Sequence, residues 1–577
     1  MLSTYSWPRY APGAAPEVGA AAPRRVPLVV LGAGPVGLTA AIDAAQRGLP
    51  VLLLDEDNTV SLGSRGVCYA KRTLEILDRL GVGQRVVDRG VTWNVGRTFH
   101  GEDEVFSFNL LPEPGHQRPG MVNLQQYHLE QFLVERAAEL PALDLRWKHR
   151  VTSVTPQADG ALLQVECPQG LYTLHADWLV VADGARSPTR RGLGLDTVGQ
   201  VFQDRFLIAD VVLDGEPYPL ARTERRFWFR PSFFDGESAL LHREADDVWR
   251  IDFQLGWQAD PEVEKQPERV AARIRRLLDL QGWPHIGFKL EWISVYTFQC
   301  RRMAKFRHGR LFFVGDSAHQ VSPFGARGAN SGIQDADNLV WKLQRVITGG
   351  APEALLDSYD AERGAAADEN LLNSTRSTDF MTPKTHAARV LRDAVLGLAG
   401  TVPGVRALIN SGRLSVPTCY QHSALNTLDA DVFDGWMCAG APMDDAPVAG
   451  SRPWLLQNLS HGAFTLLFFG MPDEAQRASL RGLPEAVRPL LVLKPLLVPL
   501  LVPLQMPLQM PRLRPGEDDA LPHAVDAQGL AARRCDATPG TVYLLRPDQH
   551  VAARWRTFDA AAVHAALRLA LAAKAAA

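Results

Sequence analysis

The run Gly32-Ala33-Gly34-Pro35-Val36-Gly37 limits what this chain can fold into more than any other feature of it. It follows the short apolar run 28–31 and opens the stretch 36–48, where Leu38, Ala41, Ile42 and Ala45 share one helical face. Residues 51–54 are apolar again, and Asp55 ends them. Strand, glycine turn, helix and strand form the βαβ unit that begins a doubly wound parallel sheet. In such a turn the first glycine permits the tight bend, the second lets backbone approach a pyrophosphate, and the third lets the helix pack on the strand. The helix N-terminus offers free amides to phosphate. A carboxylate where Asp55 stands can accept the ribose hydroxyls of a dinucleotide, although the same residue also reads as a plain cap.

Two later segments repeat the theme. Asp183-Gly184-Ala185-Arg186-Ser187-Pro188-Thr189-Arg190 follows the buried-looking run 178–182, and a carboxylate before glycine at a strand end is also an ordinary turn signal. Gly315-Asp316-Ser317-Ala318-His319 follows an apolar strand and leads through Pro323-Phe324-Gly325-Ala326-Arg327-Gly328-Ala329-Asn330-Ser331-Gly332 into a helix. That helix keeps Ile333, Ala336, Val340, Leu343 and Ile347 on one face. A dense glycine cluster entering a helix brings backbone amides close to a ligand, with the helix dipole toward negative charge. Strand-like runs at 200–213 and 225–229 predict a second sheet layer, and 463–469 and 541–545 predict strands of a last α/β section.

At 577 residues the chain exceeds what one core usually organises, so several domains are expected. Its 46% hydrophobic and 22% charged residues are those of an ordinary globular protein. A net charge of −3 supplies no basic field for nucleic acid and favours a small-molecule partner. The six cysteines form no Cys-x-x-Cys pair, so neither a disulfide framework nor a metal site is indicated, and a reducing cytoplasm fits. Residues 1–26 lack the apolar run of a secretory signal and read as a disordered leader. Prolines at 495, 499, 503, 507 and 511 make residues 489–515 a Pro-rich insertion rather than a membrane span, since each proline removes an amide donor.

In this order and at these intervals, GAGPVG, DGARSPTR and GDSAHQVSPFGARGANSGIQDADNLVWKL resemble the three FAD fingerprints of the single-component flavoprotein aromatic hydroxylases. That family includes p-hydroxybenzoate, phenol and 3-(3-hydroxyphenyl)propionate hydroxylases. The resemblance is strong over residues 26–350. It is weaker at the C-terminus, where 440–447 and 543–548 are similar to the thioredoxin-like appendage of the phenol hydroxylase branch. It implies an α/β fold: a Rossmann-like FAD-binding domain (27–90, 120–195 and 300–400) interleaved with a mixed-sheet substrate domain (91–119 and 196–299). A linker at 401–439 and a thioredoxin-like domain at 440–577 would follow. Lacking Cys-x-x-Cys, that last domain is left with packing or the pairing of two copies into a homodimer. The implied chemistry is hydroxylation of a small phenolic compound with NAD(P)H and O₂ through a flavin hydroperoxide.

Carried over residue by residue, the resemblance puts Gly32, Gly34 and Gly37 on the FAD pyrophosphate and Asp55 on the ribose. Arg65 would lie over the cofactor and Gln126 contact it. Asp183 would support FAD and the nicotinamide route, Gly315 would belong to the cofactor site, Asp316 would bind the ribityl chain, and the amides of Gly328, Ala329 and Asn330 would face the flavin pyrimidine edge. Pro323 and Arg327 belong to the loop beside the substrate. The sequence departs from the family where Ala326 stands for a usual glycine and Arg327 for a frequent glutamine. Phe227 and Phe229 share one strand face, with Arg226, Trp228 and Arg230 on the other. Both phenylalanines, and Tyr296, read equally as sheet-packing residues or as the wall of a substrate site, to which an arginine of this strand could add recognition of a carboxylate. His319 reads as a structural histidine or a general base. A nicotinamide-dependent dehydrogenase explains the first motif alone, and a non-catalytic FAD-binding scaffold is a further alternative.

Overall fold

The structure, a computed structural model, describes residues 4–202, 204–215, 224–235, 238–409, 416–450, 452–495 and 521–573. The chain divides into two compact units. One comprises Met1–Pro112, Arg118–Val340 and Arg363–Val416, the other Glu113–Gln117, Trp341–Glu362 and Pro417–Ala577. The second unit therefore begins inside the stretch expected as a linker and takes in two earlier pieces of chain.

In the first unit, strands Leu311–Phe313, Gly170–Val181, Arg24–Leu31, Val51–Asp55 and Leu143–Trp147 lie side by side in parallel. All five run apolar over most of their paired length, as strands covered on both faces must. The helix Pro35–Gln46 crosses from Arg24–Leu31 to Val51–Asp55 and buries every residue from Gly37 to Ala45, more than the single face expected. The glycine fingerprints all follow C-terminal ends of these strands, where open α/β sheets bind ligands.

A seven-stranded mixed sheet forms the second layer, in the order Phe288–Tyr296, Arg205–Leu213, Val248–Gly256, Ser238–Arg243, Glu224–Phe229, Val95–His100, Asp103–Asn109. The run expected as one strand over 200–213 is two. Thr197–Val201 pairs in a different, three-stranded sheet, and only Arg205–Leu213 joins this layer. Helix Pro267–Leu280 covers one face through Val270, Ile274 and Leu277, against Leu207, Ala209, Trp228, Leu241, Ile251 and Phe253. The alternation of a strand puts the other residues of these strands on the opposite face.

Two expectations are corrected. Residues 4–26 are packed rather than a free leader. Glu17 is buried against Arg146 at 2.7 Å, Tyr5 lies 4.2 Å from the Tyr127 ring, and Tyr10 stacks on Trp147 at 4.8 Å. The Pro-rich insertion does not begin at 489, because Pro489 lies within strand Val487–Leu493. Its partner there is Leu466 on one side, and the other neighbouring strand pairs only from Leu491, so the missing amide interrupts no ladder. The repeat's prolines at 499, 503, 507 and 511 lie outside the described residues.

The second unit holds a five-stranded sheet in the order His523–Val525, Val487–Leu493, Phe464–Phe469, Val542–Leu545, Val551–Trp555. Its first three strands are parallel, and the last two form an antiparallel hairpin. Phe464, Leu466, Phe468, Val542 and Leu544 face one apolar cluster, and Leu467, Phe469, Tyr543 and Leu545 the other. Among the described residues no helix is long and apolar enough to cross a membrane.

Candidate active site

The first fingerprint is built by steric exclusion. Gly32 has φ +95°, where a side chain is strained, and an added Cβ would lie 2.5 Å from the carbonyl oxygen of Ala182. On Gly37 it would sit 1.9 Å from the Gly32 oxygen. Gly34 instead has nothing within 4 Å, and the helix it precedes has no side-chain cap. Open space therefore faces unclaimed helix-terminal amides, as an anion site requires. Asp55 accepts from the amides of Ala33 at 2.5 Å and Asp57 at 2.8 Å, while burial pushes its carboxyl up. It thus holds the glycine loop as well as standing beside it.

The second and third fingerprints meet through Arg190, which sequence reasoning did not single out. Its guanidinium donates to the carbonyls of Ser317 at 2.6 Å and Ala185 at 3.0 Å. Asp183 caps the following turn by accepting from the Thr189 amide at 3.1 Å, and its other carboxylate oxygen is buried without a partner. Gly315, at φ +59°, donates its amide to Asp335 at 2.9 Å. Asp335 is the hidden hub, since it also accepts from His319 at 2.7 Å and Arg363 at 2.6 Å, all fully buried. Burial raises its carboxyl, but His319 and Arg363 beside it hold it below the ordinary range. His319 is therefore a structural histidine. Asp316 is exposed, yet the mass of protein around it pushes its carboxyl up.

The loop before helix Gly328–Ile347 is held from three sides. Asn330 accepts from the Ala70 amide at 2.9 Å and donates to the carbonyls of Cys68 at 2.8 Å and Ala326 at 2.5 Å, so its side chain clamps the helix start to strand Cys68–Ala70. Gly328 and Ala329 remain partly open, and Pro323 is exposed. Ala326 adopts φ +52°, the left-handed conformation that explains why glycine is usual there; its methyl packs on Cys68 and Trp93. Arg327 is buried and donates to Asn370 at 3.2 Å, directing its guanidinium toward helix Asp357–Met381. Gln126 accepts from the Gly66 amide at 3.0 Å and donates to Glu130 at 2.8 Å, bracing the loop that leaves Arg65 exposed.

The face of the seven-stranded sheet opposite helix Pro267–Leu280 carries a polar row and a mixed one. Register aligns Trp292, Asp210, Arg250 and His242 in one, and Ser294, Ile208, Asp252, Leu240 and Phe227 in the next. Arg250 lies 3.1 Å from Asp210 and 3.6 Å from Glu244 and donates to the Ser64 carbonyl at 2.6 Å, fastening the Arg65 loop to this sheet. One guanidinium cannot neutralise Asp210, Glu244 and Asp252 together; burial pushes Asp210 up to about 8. Tyr296 and Phe206 pair across the next register position, and Phe206 lies 5.3 Å from Phe324 of the fingerprint loop. Phe227 and Phe229 do share this face, but Phe229 is fully buried against Val395, Leu396 and Phe380. It is a packing residue; Phe227 and Tyr296 stay only partly buried.

The three fingerprints thus meet around an open glycine, uncapped helix amides and an exposed carboxylate, which fits a dinucleotide such as FAD. A family model described as FAD binding domain matches residues 25–374. The 6-methylpretetramide 4-monooxygenase of Streptomyces rimosus is 31% identical over 552 residues, 91% of this chain and 90% of that protein. The para-nitrophenol 4-monooxygenase of a Pseudomonas species is 30% identical over 379 residues, 65% of this chain and 92% of that protein. Among solved structures, the flavin-dependent monooxygenase PieE in complex with FAD and substrate superposes with a TM-score of 0.76. That likeness, at 24% identity over 96% of this chain and all of the other, speaks for the fold. With more than half of its length matched by the family model, and a relative similar along nearly its whole length, the chain belongs to the FAD-binding-domain family of flavin-dependent monooxygenases.

Proposed function

We propose that this enzyme hydroxylates a small, electron-rich phenol with NAD(P)H and O₂. The observation that carries the proposal is the placement of an aromatic and partly polar sheet face, with Phe206 and Tyr296, against the loop that joins the third fingerprint to its helix. FAD, when bound, supplies the electron transfer and the activation of O₂ that no protein side chain can. The chain's own residues bind and orient it. Gly34 and the amides of helix Pro35–Gln46 hold the pyrophosphate, Asp55 the ribose, Asp316 the ribityl chain, and Gly328 and Ala329 the pyrimidine edge. Arg65, Gln126, Asp183 and Gly315 complete the cradle, and Pro323 stands beside the substrate. The relatives named above support this reading; the second unit's five-stranded sheet supports a thioredoxin-like C-terminal domain, and the missing Cys-x-x-Cys supports a role for it other than redox.

A panel of phenols, hydroxybenzoates and hydroxyphenylpropionates tests it, scored by stimulated NAD(P)H oxidation and by hydroxylated product. Stimulation without product from any member would contradict the proposal. Asp316→Ala is expected to purify largely without flavin. A hydrogen bond to a charged group contributes about 1.5–3 kcal/mol, which weakens FAD by roughly 10- to 100-fold. Flavin content equal to wild type would remove Asp316 from the cradle.

A further inference from the structure

Three polar groups on the sheet face opposite helix Pro267–Leu280 have few partners among the described residues, and for a buried atom that is unusual. Asp252 lies 3.8 Å from Arg250, which gives its hydrogen bonds to Asp210 and Ser64 instead, and its buried Oδ1 accepts no hydrogen bond among the described residues. Its side chain nevertheless keeps 16% of its surface open. Arg225 stands two residues before Phe227 on the same strand face. It meets only the Cys68 sulfur at 3.8 Å and the Trp93 ring at 5.7 Å, with no carboxylate partner among the described residues. The Tyr296 hydroxyl makes no hydrogen bond among them either. A carboxylate, a guanidinium and a phenol left unsatisfied on one face, against the fingerprint loop, are arranged for a ligand with an acidic hydroxyl.

We infer that Asp252 is the base that takes the proton of the phenolic substrate and that Arg225 holds the phenolate oxygen so formed, an assignment that rests on the aromatic-hydroxylase reading above. The substrate O–H bond breaks, the proton passes to the open side of the Asp252 carboxylate, and the electron pair stays on the oxygen facing Arg225. The phenolate ring is the more electron-rich form and the better acceptor of an electrophilic oxygen. The charged and titratable groups around Asp252 are Arg250 on its own strand, Asp210 and His242 on the two adjacent strands, Glu244 just after the second of these, Arg225 one strand farther, Cys68, and Tyr296 on the sheet's edge strand. Burial pushes the Asp252 carboxyl up against the pull of Arg250, His242 and Arg225, which makes its ionised form the stronger base.

The test uses the holoenzyme with 4-nitrophenol and phenols of graded acidity. Absorbance of 4-nitrophenol bound to wild type is expected to show phenolate at a pH where the free compound is neutral, and Asp252→Asn and Arg225→Gln should each return it toward the neutral form. With weakly acidic phenols Asp252→Asn should hydroxylate about 100-fold more slowly. The deficit should close as pH rises to the phenol's own pKa, and Asp252→Glu should recover part of it. Flavin content should not change. An unchanged spectrum of bound nitrophenol in either variant, or a deficit equal at every pH and for every phenol, would overturn the assignment. Wild type that hydroxylates no phenol would overturn the functional reading instead, so the two failures are distinguishable.

Discussion

Arg250→Met is expected to cost about 3–5 kcal/mol in chemical unfolding of the holoenzyme, the range for breaking a buried ion pair from one side, and to lower flavin content as well. The guanidinium is almost fully buried between Asp210 and Glu244, and its removal leaves the charge of Glu244 uncompensated away from water and takes from Asp210 a buried hydrogen-bond donor. The loss reaches the cofactor cleft because Arg250 also fixes the Ser64 carbonyl, next to Arg65. The same cluster makes stability depend on pH. Asp210 is raised from an ordinary 3.8 to about 8, so the folded state holds a proton that the unfolded state has released between those values. Its contribution is full below 3.8 and lost as pH rises through about 8. Asp210→Asn should flatten the fall in melting temperature over that window. An Arg250→Met variant within about 1 kcal/mol of wild type, where ordinary surface changes fall, would show that the cluster carries no net stabilisation.

The second large effect is expected in the C-terminal unit. Glu362 accepts from Lys342 at 2.8 Å and from Arg546 at 2.6 and 3.0 Å, and Arg546 also pairs with Asp548, all at most 1% exposed. Glu362→Gln keeps the shape but leaves two buried cations to one carboxylate, which should again cost about 3–5 kcal/mol. Burial already lowers Lys342 to about 8, and the loss of its partner should lower it further. The two cations hold Glu362 well below its ordinary 4.5. Its contribution is therefore complete above 4.5 and lost as pH falls below it, toward the depressed folded value. Wild type should lose stability on that acid side more steeply than Glu362→Gln, as read from unfolding midpoints across pH. Parallel acid profiles would contradict the pairing.

Local signals carried much of this architecture. The glycines at 32, 34 and 37 announce their geometry through spacing alone, and the helix after Gly328 shows its buried face in Ile333, Ala336, Val340 and Leu343. Residues 226–230 show the strand's two faces, and Trp228 does pack under helix Pro267–Leu280. What stayed hidden lies between residues far apart in the chain. Arg190 meets Ser317, Asp335 meets Arg363, and Arg250 meets Ser64, and no single window contains both partners. A sign was present in the apolar strands, because Asp210, Arg250 and Asp252 interrupt runs of Leu, Ile, Val and Phe. A charge in such a place must be paired or used. Phe229 misled for the opposite reason, since the helix that buries it, His386–Ala399, follows long after it in the sequence.

The central claim, oxygen insertion into an aromatic ring by a flavin enzyme, is tested most directly by mass spectrometry of the product formed under isotopically labelled O₂. The purified protein should be yellow, and with a phenol that stimulates NAD(P)H oxidation the product should carry one labelled oxygen atom in a new ring hydroxyl. A colourless protein, or an oxidised product whose new oxygen comes from unlabelled water, would contradict it.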